Sequence, residues 1–291
     1  MLCCASCGIA EGDNTKLKDC SACHLVKYCG VECQRKHRKE HKAECKRRVA
    51  ELRDEILFKQ PESSHRGDCP ICCLPLSLDL RTSTLMTCCS NWLCDGCHYT
   101  NMKREIEGKL ETKCPFCRFV LSSEETNINL TKRAEANDPV ALCEMGKQRG
   151  DEGDFDSAFD YYTKAVALGD IDAHYQLALM YHDEEGVEKD EEKKFYHLEE
   201  AAIGGHAQAR NFLGCMEERR DRTDRFVKHL IIAANQGHDK SLNALKQFYQ
   251  GGLVHLVSKE DLAAALRAHH AAVLATKSPQ RDEAAIFCRN M

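Results

Sequence analysis

The stretch LALMYHDEEGVEKDEEKKFYHLEEAAIGG, residues 177–205, is the clearest unit of a pattern that recurs through the second half of this 291-residue chain. Each unit has paired small residues, a glycine, a few polar residues, and then a small residue followed by aliphatic residues. Aligned small residues are 32, 36 and 32 residues apart, at Ala141, Ala173, Ala209 and Ser241. Because a repeat of this length is typical of stacked helical pairs, the sequence predicts an α-solenoid of helix–turn–helix units over residues 134–250.

Local signals mark where these helices begin and end. Asp138-Pro139 predicts an N-cap followed by proline at the first helical position, and Ser258 with Asp261 forms a capping-box pattern. We expect the helix after Ser258 to cap the array, within a C-terminal segment of a capping helix and tail at residues 251–291. Turns between successive repeats are predicted at Gly169, Gly205 and Gly237. Interior packing is expected for the recurring tyrosines Tyr161, Tyr162, Tyr175, Tyr181 and Tyr196.

The repeat units resemble Sel-one-like repeats, which are relatives of tetratricopeptide repeats. The resemblance is strongest in residues 177–205, which contain a G-V-x-x-D loop from Gly186 to Asp190. It implies a concave surface on which a protein client would bind.

Cysteines are concentrated at the opposite end of the chain, where seventeen of the twenty lie in residues 1–117. No early apolar stretch looks like a signal peptide, and no long apolar run predicts a membrane span. We therefore expect an intracellular protein, in the cytoplasm or the nucleus, without membrane contact. Because reducing compartments do not sustain disulfides, this cysteine density indicates bound metal.

The charge of the chain bears on its partners. A net charge of −5 excludes a strongly basic protein, so a nucleic-acid partner is not expected. The charge is nevertheless uneven, because residues 35–48 carry eight Lys and Arg against Glu40 and Glu44. A solvated helix face is the simpler interpretation of this local charge, and a nucleic-acid patch is the alternative.

Residues 4–45 contain eight potential metal ligands in four closely spaced pairs. The pairs are Cys4 and Cys7, Cys20 and Cys23, Cys29 and Cys33, and His41 and Cys45. Each pair can clasp one tetrahedral ion, and thiolate with imidazole at a closed site selects Zn²⁺. The residues after Gly30 predict a helix that places His41 and Cys45 on one face. This helix is expected to continue into a helical linker at residues 47–66 and to end at Pro61.

This ligand series resembles the MYND zinc finger, with the family's KYC and CQ at residues 27–29 and 33–34. The resemblance implies that Cys4, Cys7, Cys29 and Cys33 bind one zinc ion. It implies that Cys20, Cys23, His41 and Cys45 bind a second zinc ion. Cys3 is an alternative to Cys4. A bound proline-containing peptide or protein is also implied: Gln34 fits the family's binding helix, whereas Arg38 stands where many members carry tryptophan.

A second series of eight cysteines lies in residues 67–121, again as four pairs. Its spacing resembles a RING finger, which implies a cross-brace of two zinc ions. One ion would be bound by Cys69, Cys72, Cys94 and Cys97, and the other by Cys88, Cys89, Cys114 and Cys117. Asn91 stands at the usual histidine position and is a poor zinc ligand, so the adjacent Cys88 and Cys89 would supply the missing ligand. The nearest spare ligands are Cys73 and His98.

RING fingers hold a ubiquitin-conjugating enzyme in a reactive geometry, without a covalent intermediate of their own. By this resemblance, the residues that would contact the conjugating enzyme are Ile71, Pro115 and Arg118. Arg118 directly follows the last ligand, where its rigid fork of donors could bridge the conjugating enzyme and ubiquitin. The alternative for Arg118 is a solvated surface charge. Trp92 is expected to pack in the local core rather than to contact a partner.

The sequence therefore predicts small zinc-stabilised modules followed by an all-α region. Two cross-brace zinc fingers, at residues 1–46 and 67–121, would bind four Zn²⁺ ions and precede the α-solenoid. One functional interpretation is a RING-type ubiquitin-protein ligase, a transferase that recruits clients through the MYND finger and the repeats. The other is a non-catalytic adaptor that joins protein partners. The sequence contains no Ser-His-Asp pattern, phosphate loop or Rossmann fingerprint that would indicate another enzyme class.

Overall fold

The structure is a computed structural model that describes residues 2–12, 15–120, 122, 125–252 and 256–289. The predicted module boundaries at residues 1, 121 and 291 lie outside these ranges. The chain divides into two compact units, Met1–Lys59 and Gln60–Met291, and each is described by itself. Within the described residues, the helices are all too short or too polar to cross a membrane.

The first unit is a small hairpin followed by one long helix. Strands β1 (Lys18–Asp19) and β2 (Lys27–Tyr28) pair antiparallel, and helix α1 runs over Val31–Leu57. The buried core consists of Cys4, Leu17, Cys20, Cys23 and Tyr28. A core of this size buries little apolar surface, so bound metal would supply much of the folding free energy.

Helix α1 confirms the helix predicted after Gly30 but ends earlier than the sequence analysis expects. Gly30 is the N-cap and has an extended backbone, with no side chain to accept a hydrogen bond. The helix stops at Leu57, so Pro61 does not terminate it. The predicted helical linker is therefore helical only in its first part, and the residues from Gln60 onward belong to the second unit.

The second unit begins with a small module of two strands and one helix. Strand β3 (Ser83–Met86) pairs antiparallel with β4 (Asn91–Cys94), and helix α2 (Asp95–Glu107) follows directly. Four of the cysteines and three apolar side chains are buried in its core: Cys69, Leu76, Met86, Leu93, Cys94, Cys97 and Cys114. Trp92 packs against this core, as the sequence analysis expects.

From Glu125 onward, the regular elements of the second unit are helices in the residues that the structure describes. These helices are α3 (Glu125–Glu135), α4 (Pro139–Asp151), α5 (Phe155–Ala167), α6 (Ile171–Asp183), α7 (Glu191–Ile203), α8 (Ala207–Arg219), α9 (Thr223–Asn235), α10 (Asp239–Gln250), α11 (Lys259–Ala275) and α12 (Pro279–Arg289). Helices α3 to α10 pack as sequential neighbours, which is the arrangement of an α-solenoid.

The predicted helix boundaries in this region are confirmed. The Asp138 carboxylate accepts a hydrogen bond from the Ala141 N–H at 3.0 Å, and the Ser258 hydroxyl accepts one from the Asp261 N–H at 3.0 Å. The three predicted turn glycines have left-handed φ angles of +88°, +86° and +91°, at Gly169, Gly205 and Gly237. Left-handed backbone carries no steric penalty in glycine, which explains its use at each of these turns.

Two expectations for the helical region are wrong. Tyr162 and Tyr181 are buried, but Tyr196 is 53 % exposed, so the packing expected for all five tyrosines fails there. Helix α11 packs on α9 and α10 as a closing helix, but the residues after it are not a tail. They form α12, which leaves the array and packs against α2 of the cysteine-rich module.

Close helix packing in the array generates a test with an internal control. A methyl group at Gly146 of α4 would lie 2.6 Å from Cε1 of Tyr162, whereas one at Gly150 of the same helix would meet nothing within 4 Å. We expect Gly146→Ala to lower the free energy of unfolding by about 1–3 kcal/mol through overpacking. Gly150→Ala should raise it by up to about 1 kcal/mol through helix propensity. Denaturant unfolding followed by circular dichroism measures both, and equal effects would contradict the packing.

Candidate metal centres and the contacts around them

In the first unit, the eight predicted ligand side chains form two clusters whose ligand atoms lie within 4.8 Å of one another. The first cluster contains Cys4, Cys7, Cys29 and Cys33, and the second contains Cys20, Cys23, His41 and Cys45. The Sγ atoms of Cys7 and Cys29 are 3.6 Å apart, and those of Cys20 and Cys45 are 3.9 Å apart. Zn–S bonds of about 2.3 Å in a tetrahedron separate two sulfur atoms by roughly 3.8 Å, so these distances fit zinc.

The second unit contains two further clusters with the same spacing. They contain Cys69, Cys72, Cys94 and Cys97 in one and Cys88, Cys89, Cys114 and Cys117 in the other. The Sγ atoms of Cys72 and Cys94 are 3.8 Å apart, and those of Cys89 and Cys114 are 3.9 Å apart. Each cluster offers four thiols in a closed shell, which is a donor set that suits a structural zinc ion.

Four of the cysteine pairs share one loop geometry. The residue four positions after the first cysteine donates its N–H to that cysteine's carbonyl, at Gly8, His24, Cys73 and Arg118. Each of these residues has a left-handed backbone, with φ of +74°, +56°, +55° and +63° respectively. The tight turn folds the loop so that both sulfur atoms of the pair point to one side, and the turn residue is not itself a ligand.

The spare ligands of the sequence analysis are not in these clusters. Cys3, Cys73 and His98 belong to none of the ligand groups found among the described residues. The Asn91 side chain donates a hydrogen bond to the Cys89 carbonyl at 3.0 Å, so its amide supports the backbone beside the cluster rather than facing an ion.

An arginine from the C-terminal helix contacts one of the four-thiol clusters. The Arg281 guanidinium donates to the carbonyls of Pro75 at 2.6 Å and Leu74 at 3.1 Å, and to the Cys72 Sγ at 3.3 Å. A zinc ion with four thiolates carries two negative charges, so a cation at this distance would stabilise the loaded site. Nothing in the local sequence of α12 indicates this contact.

Two further contacts hold α12 on α2. Lys103 and Glu283 form an ion pair at 2.8 Å, and the rings of Tyr99 and Phe287 lie 4.8 Å apart. Gly96 permits the close approach, because a methyl group there would lie 2.8 Å from the Arg281 backbone nitrogen.

The segment before the second cysteine-rich module is inserted between that module and the repeats. The His65 ring stacks on the His206 ring with centroids 4.0 Å apart. The Tyr175 ring also stacks on the His206 ring, with centroids 4.4 Å apart. The Arg66 guanidinium lies 4.4 Å from the centre of the Trp92 ring. Burial and the neighbouring His206 lower the pKa of His65 to about 3, so this ring is neutral in the folded protein near pH 7.

One more group of possible ligands, His65, Asp172 and His206, lies at this insertion. The Asp172 carboxylate already has a cationic partner, because the Lys147 Nζ lies 2.6 Å from it. Both His206 nitrogens are also engaged, one accepting from the Ala209 N–H and one facing Asp172 at 3.2 Å. Burial raises the pKa of Asp172, but the His206 hydrogen bond and the Lys147 charge outweigh it and hold the pKa well below its usual range. Asp172 therefore has its polar partners in Lys147 and His206, whereas His65 adds a stacked ring whose buried Nδ1 has no hydrogen-bond partner.

The residues predicted to contact a conjugating enzyme lie at the loops of the second unit's clusters. Ile71 is 42 % exposed, Pro115 is half-buried and Arg118 is exposed. Arg118 occupies the left-handed turn position of its loop, directly after the last cysteine pair. Helix α12 packs on α2 at Gly96, Tyr99 and Lys103. Its Arg281 also contacts the loop that carries Ile71, at Cys72, Leu74 and Pro75.

Comparison with known proteins identifies two of the modules. The MYND finger family matches residues 4–45, and the Sel1 repeat family matches residues 139–170 and 171–206. The chain is therefore a zinc-finger protein with a helical repeat array. The finger is of the MYND type and the repeats are of the Sel1 type, and modules of these kinds support a role as a protein-interaction adaptor. The RING-type interpretation of residues 67–121 rests on the cysteine spacing and the two clusters alone.

Individual relatives match parts of the chain. Chitin synthase regulatory factor 4 of Schizosaccharomyces pombe is 29 % identical over 86 residues, which are 29 % of this chain and 14 % of that protein. A protective antigen of uropathogenic Escherichia coli with an SLR fold is 29 % identical, with a TM-score of 0.40 over 43 % of this chain and 28 % of the antigen. The Sel1 repeat protein of Oxalobacter formigenes is 21 % identical, with a TM-score of 0.46 over 60 % of this chain and 71 % of that protein.

The cluster geometry predicts which of two adjacent thiols matters for metal content. Cys72 lies in a cluster, whereas its neighbour Cys73 is a turn residue with an exposed side chain. We expect Cys72→Ser to lower the zinc content measured by native mass spectrometry. Cys73→Gly should leave the zinc content unchanged and slightly stabilise the turn, because glycine accepts positive φ without strain. Zinc loss in Cys73→Gly would show that the ligand assignment is wrong.

The Arg281 contact predicts slower zinc release in the native chain than in a variant that lacks the guanidinium. Removing a group that supports metal ligands typically costs roughly tenfold or more in metal affinity. Arg281→Ala should therefore release a fraction of the bound zinc about tenfold faster to a chelator with a colorimetric readout. The control is Arg289→Ala, which changes an exposed arginine of the same helix. Equal release from both variants would argue against the contact.

Proposed function

We propose that this protein is a zinc-dependent interaction adaptor whose module at residues 67–121 also binds a ubiquitin-conjugating enzyme, which would make the chain a RING-type ubiquitin-protein ligase. The MYND finger and the Sel1-type repeats would hold client proteins, the finger through a short segment such as a proline-containing peptide. Four Zn²⁺ ions, one in each cysteine-rich cluster, would maintain both fingers.

The observation that supports the ligase activity is the position of Arg118. Arg118 is exposed and occupies the left-handed turn position directly after Cys117, the last cysteine of a four-thiol cluster. Its side chain is in none of the ion pairs found among the described residues, so its donors are available to a partner. An arginine there would fix the relative orientation of conjugating enzyme and ubiquitin, which is catalysis by positioning.

The test is ubiquitin chain formation by the full-length, zinc-loaded protein with a panel of conjugating enzymes. Arg118→Ala should reduce chain formation about tenfold or more, since a charge-assisted hydrogen bond contributes about 1.5–3 kcal/mol. Ile71→Ala should reduce it through loss of apolar contact. The control is Arg81→Ala, because Arg81 is an exposed arginine of the same module that pairs only with the adjacent Asp79 within the described residues.

A non-catalytic adaptor is the second candidate, and the family matches favour it because they cover only the MYND finger and the Sel1 repeats. The two functions are separated by measuring zinc per chain on the same sample. Four zinc ions with ubiquitin chains that depend on Arg118 support the ligase. Four zinc ions without binding of any conjugating enzyme support the adaptor. Two zinc ions would contradict the cluster assignment in one of the fingers.

A further inference from the structure

The first unit contains an open groove beside its second metal cluster, and three ligands of that cluster, Cys20, His41 and Cys45, form part of the lining. Its volume is about 490 Å³, and it lies between the loop of the second cluster and one face of α1. Its wall is mainly apolar and includes Ala22 and Val49, of which Val49 is 41 % exposed. Four cationic side chains of α1 line the groove, and no carboxylate does: Arg35, Arg38, Lys42 and Lys46.

These cations form a stripe because of their spacing. Residues 35, 38, 42 and 46 are three or four positions apart, which places them on one face of a helix. Arg35 has a partner in Glu32 at 3.0 Å. Arg38, Lys42 and Lys46 are in none of the ion pairs found among the described residues, while Glu40 and Glu44 pair with His37 and His41.

The neighbouring metal site does not neutralise this stripe. Three thiolates and one imidazole on a divalent ion leave a single negative charge, which is less than the charge of the three cations without partners. The groove therefore has a positive potential along one side and an apolar wall on the other. A solvated helix face would not need an apolar wall of this kind beside it.

The groove offers no exposed aromatic ring for stacking. Its two aromatic side chains, Tyr28 and His41, are only 3 % and 6 % exposed. Single-stranded nucleic acids bind largely by stacking bases on aromatic side chains, so the apolar wall suits aliphatic side chains of a protein better than bases. The same lack of an exposed ring removes a platform for proline, since Arg38 stands where a tryptophan would provide one.

We infer that the groove binds an extended acidic segment of a partner protein, with acidic residues at alternate positions and apolar residues between them. Four helical residues rise about 6 Å, which is the distance from Arg38 to Lys42 along α1. Two residues of an extended strand cover about 6.6 Å, so alternate acidic side chains match successive cations. The intervening side chains point to the opposite side, toward the apolar wall. The inference rests on the proposal that the MYND finger binds a protein segment.

The test uses labelled peptides and the full-length, zinc-loaded chain in fluorescence anisotropy. The acidic probe contains Asp-Leu-Glu-Leu-Asp, and its neutral counterpart contains Asn-Leu-Gln-Leu-Asn. A proline-rich neutral peptide and a single-stranded oligonucleotide of equal charge are the competing ligands. The acidic probe is expected to bind about tenfold more tightly than the neutral one, and its affinity should fall as salt is added.

Matched charge reversals separate the position of the cations from net charge. Arg38→Glu with Lys42→Glu changes two groove residues, and Lys36→Glu with Lys39→Glu changes two exposed residues of α1 outside the groove. Both double variants alter the net charge equally. The affinity for the acidic probe should fall at least about tenfold in the groove variant and less than about threefold in the control variant. An unchanged zinc content confirms that each variant is folded.

Four outcomes would overturn the inference. Equal losses in the two double variants would mean that net charge, not the groove, attracts the probe. Preference for the oligonucleotide, lost in the groove variant, would make the stripe a nucleic-acid site. If the proline-rich peptide binds and the groove reversals do not weaken it, the finger binds peptides but has no specificity for acidic ones. If no peptide binds to fully zinc-loaded protein, peptide binding by the finger fails as well, whatever the ubiquitination assay reports.

Discussion

Convergence of four ligand atoms on one point is the constraint on which both small modules depend. In four of the cysteine pairs, the loop turns sharply after the first cysteine, and the left-handed residue four positions on provides that turn. Glycine occupies the position once, and His24, Cys73 and Arg118 accept the strained backbone in the other loops. The first unit has so small an apolar core that this convergence, with metal bound, would provide most of its stability.

The second cysteine-rich module is built into the repeat unit rather than attached to it. Arg281 of the C-terminal helix donates to the Cys72 Sγ, and the Arg66 guanidinium stacks on Trp92. The Arg133 Nε donates to the Ser90 Oγ at 3.1 Å. Arg133 lies in α3 and Arg281 in α12, at the two ends of the helical region, and Arg66 lies in the segment before the module. Together these contacts hold one orientation of the module. If the module binds a conjugating enzyme and the repeats bind a client, a fixed geometry between them would favour transfer to particular sites on that client.

Cationic side chains lie next to a sulfur cluster in both units, but the groups around these side chains differ. The Arg281 guanidinium is held by carbonyl oxygens as well as by sulfur, which leaves it little capacity to bind a partner. The cations of α1 stand in an open groove and remain hydrated. The same charge therefore stabilises a site in one unit and offers a recognition surface in the other, because burial and existing hydrogen bonds decide whether a cation is available.

The sequence by itself determined the local features of this protein. Ligand pairs one to four positions apart, N-caps such as Asp138 and turn glycines such as Gly205 depend on near neighbours in the chain, so their spacing is sufficient to locate them. Only the tertiary structure placed Arg281 on Cys72, across 209 residues, and stacked His65 on His206. It also turned the expected tail into α12 and exposed Tyr196. Contacts between distant segments depend on which faces the packed helices bring together, and a periodic pattern does not encode that choice.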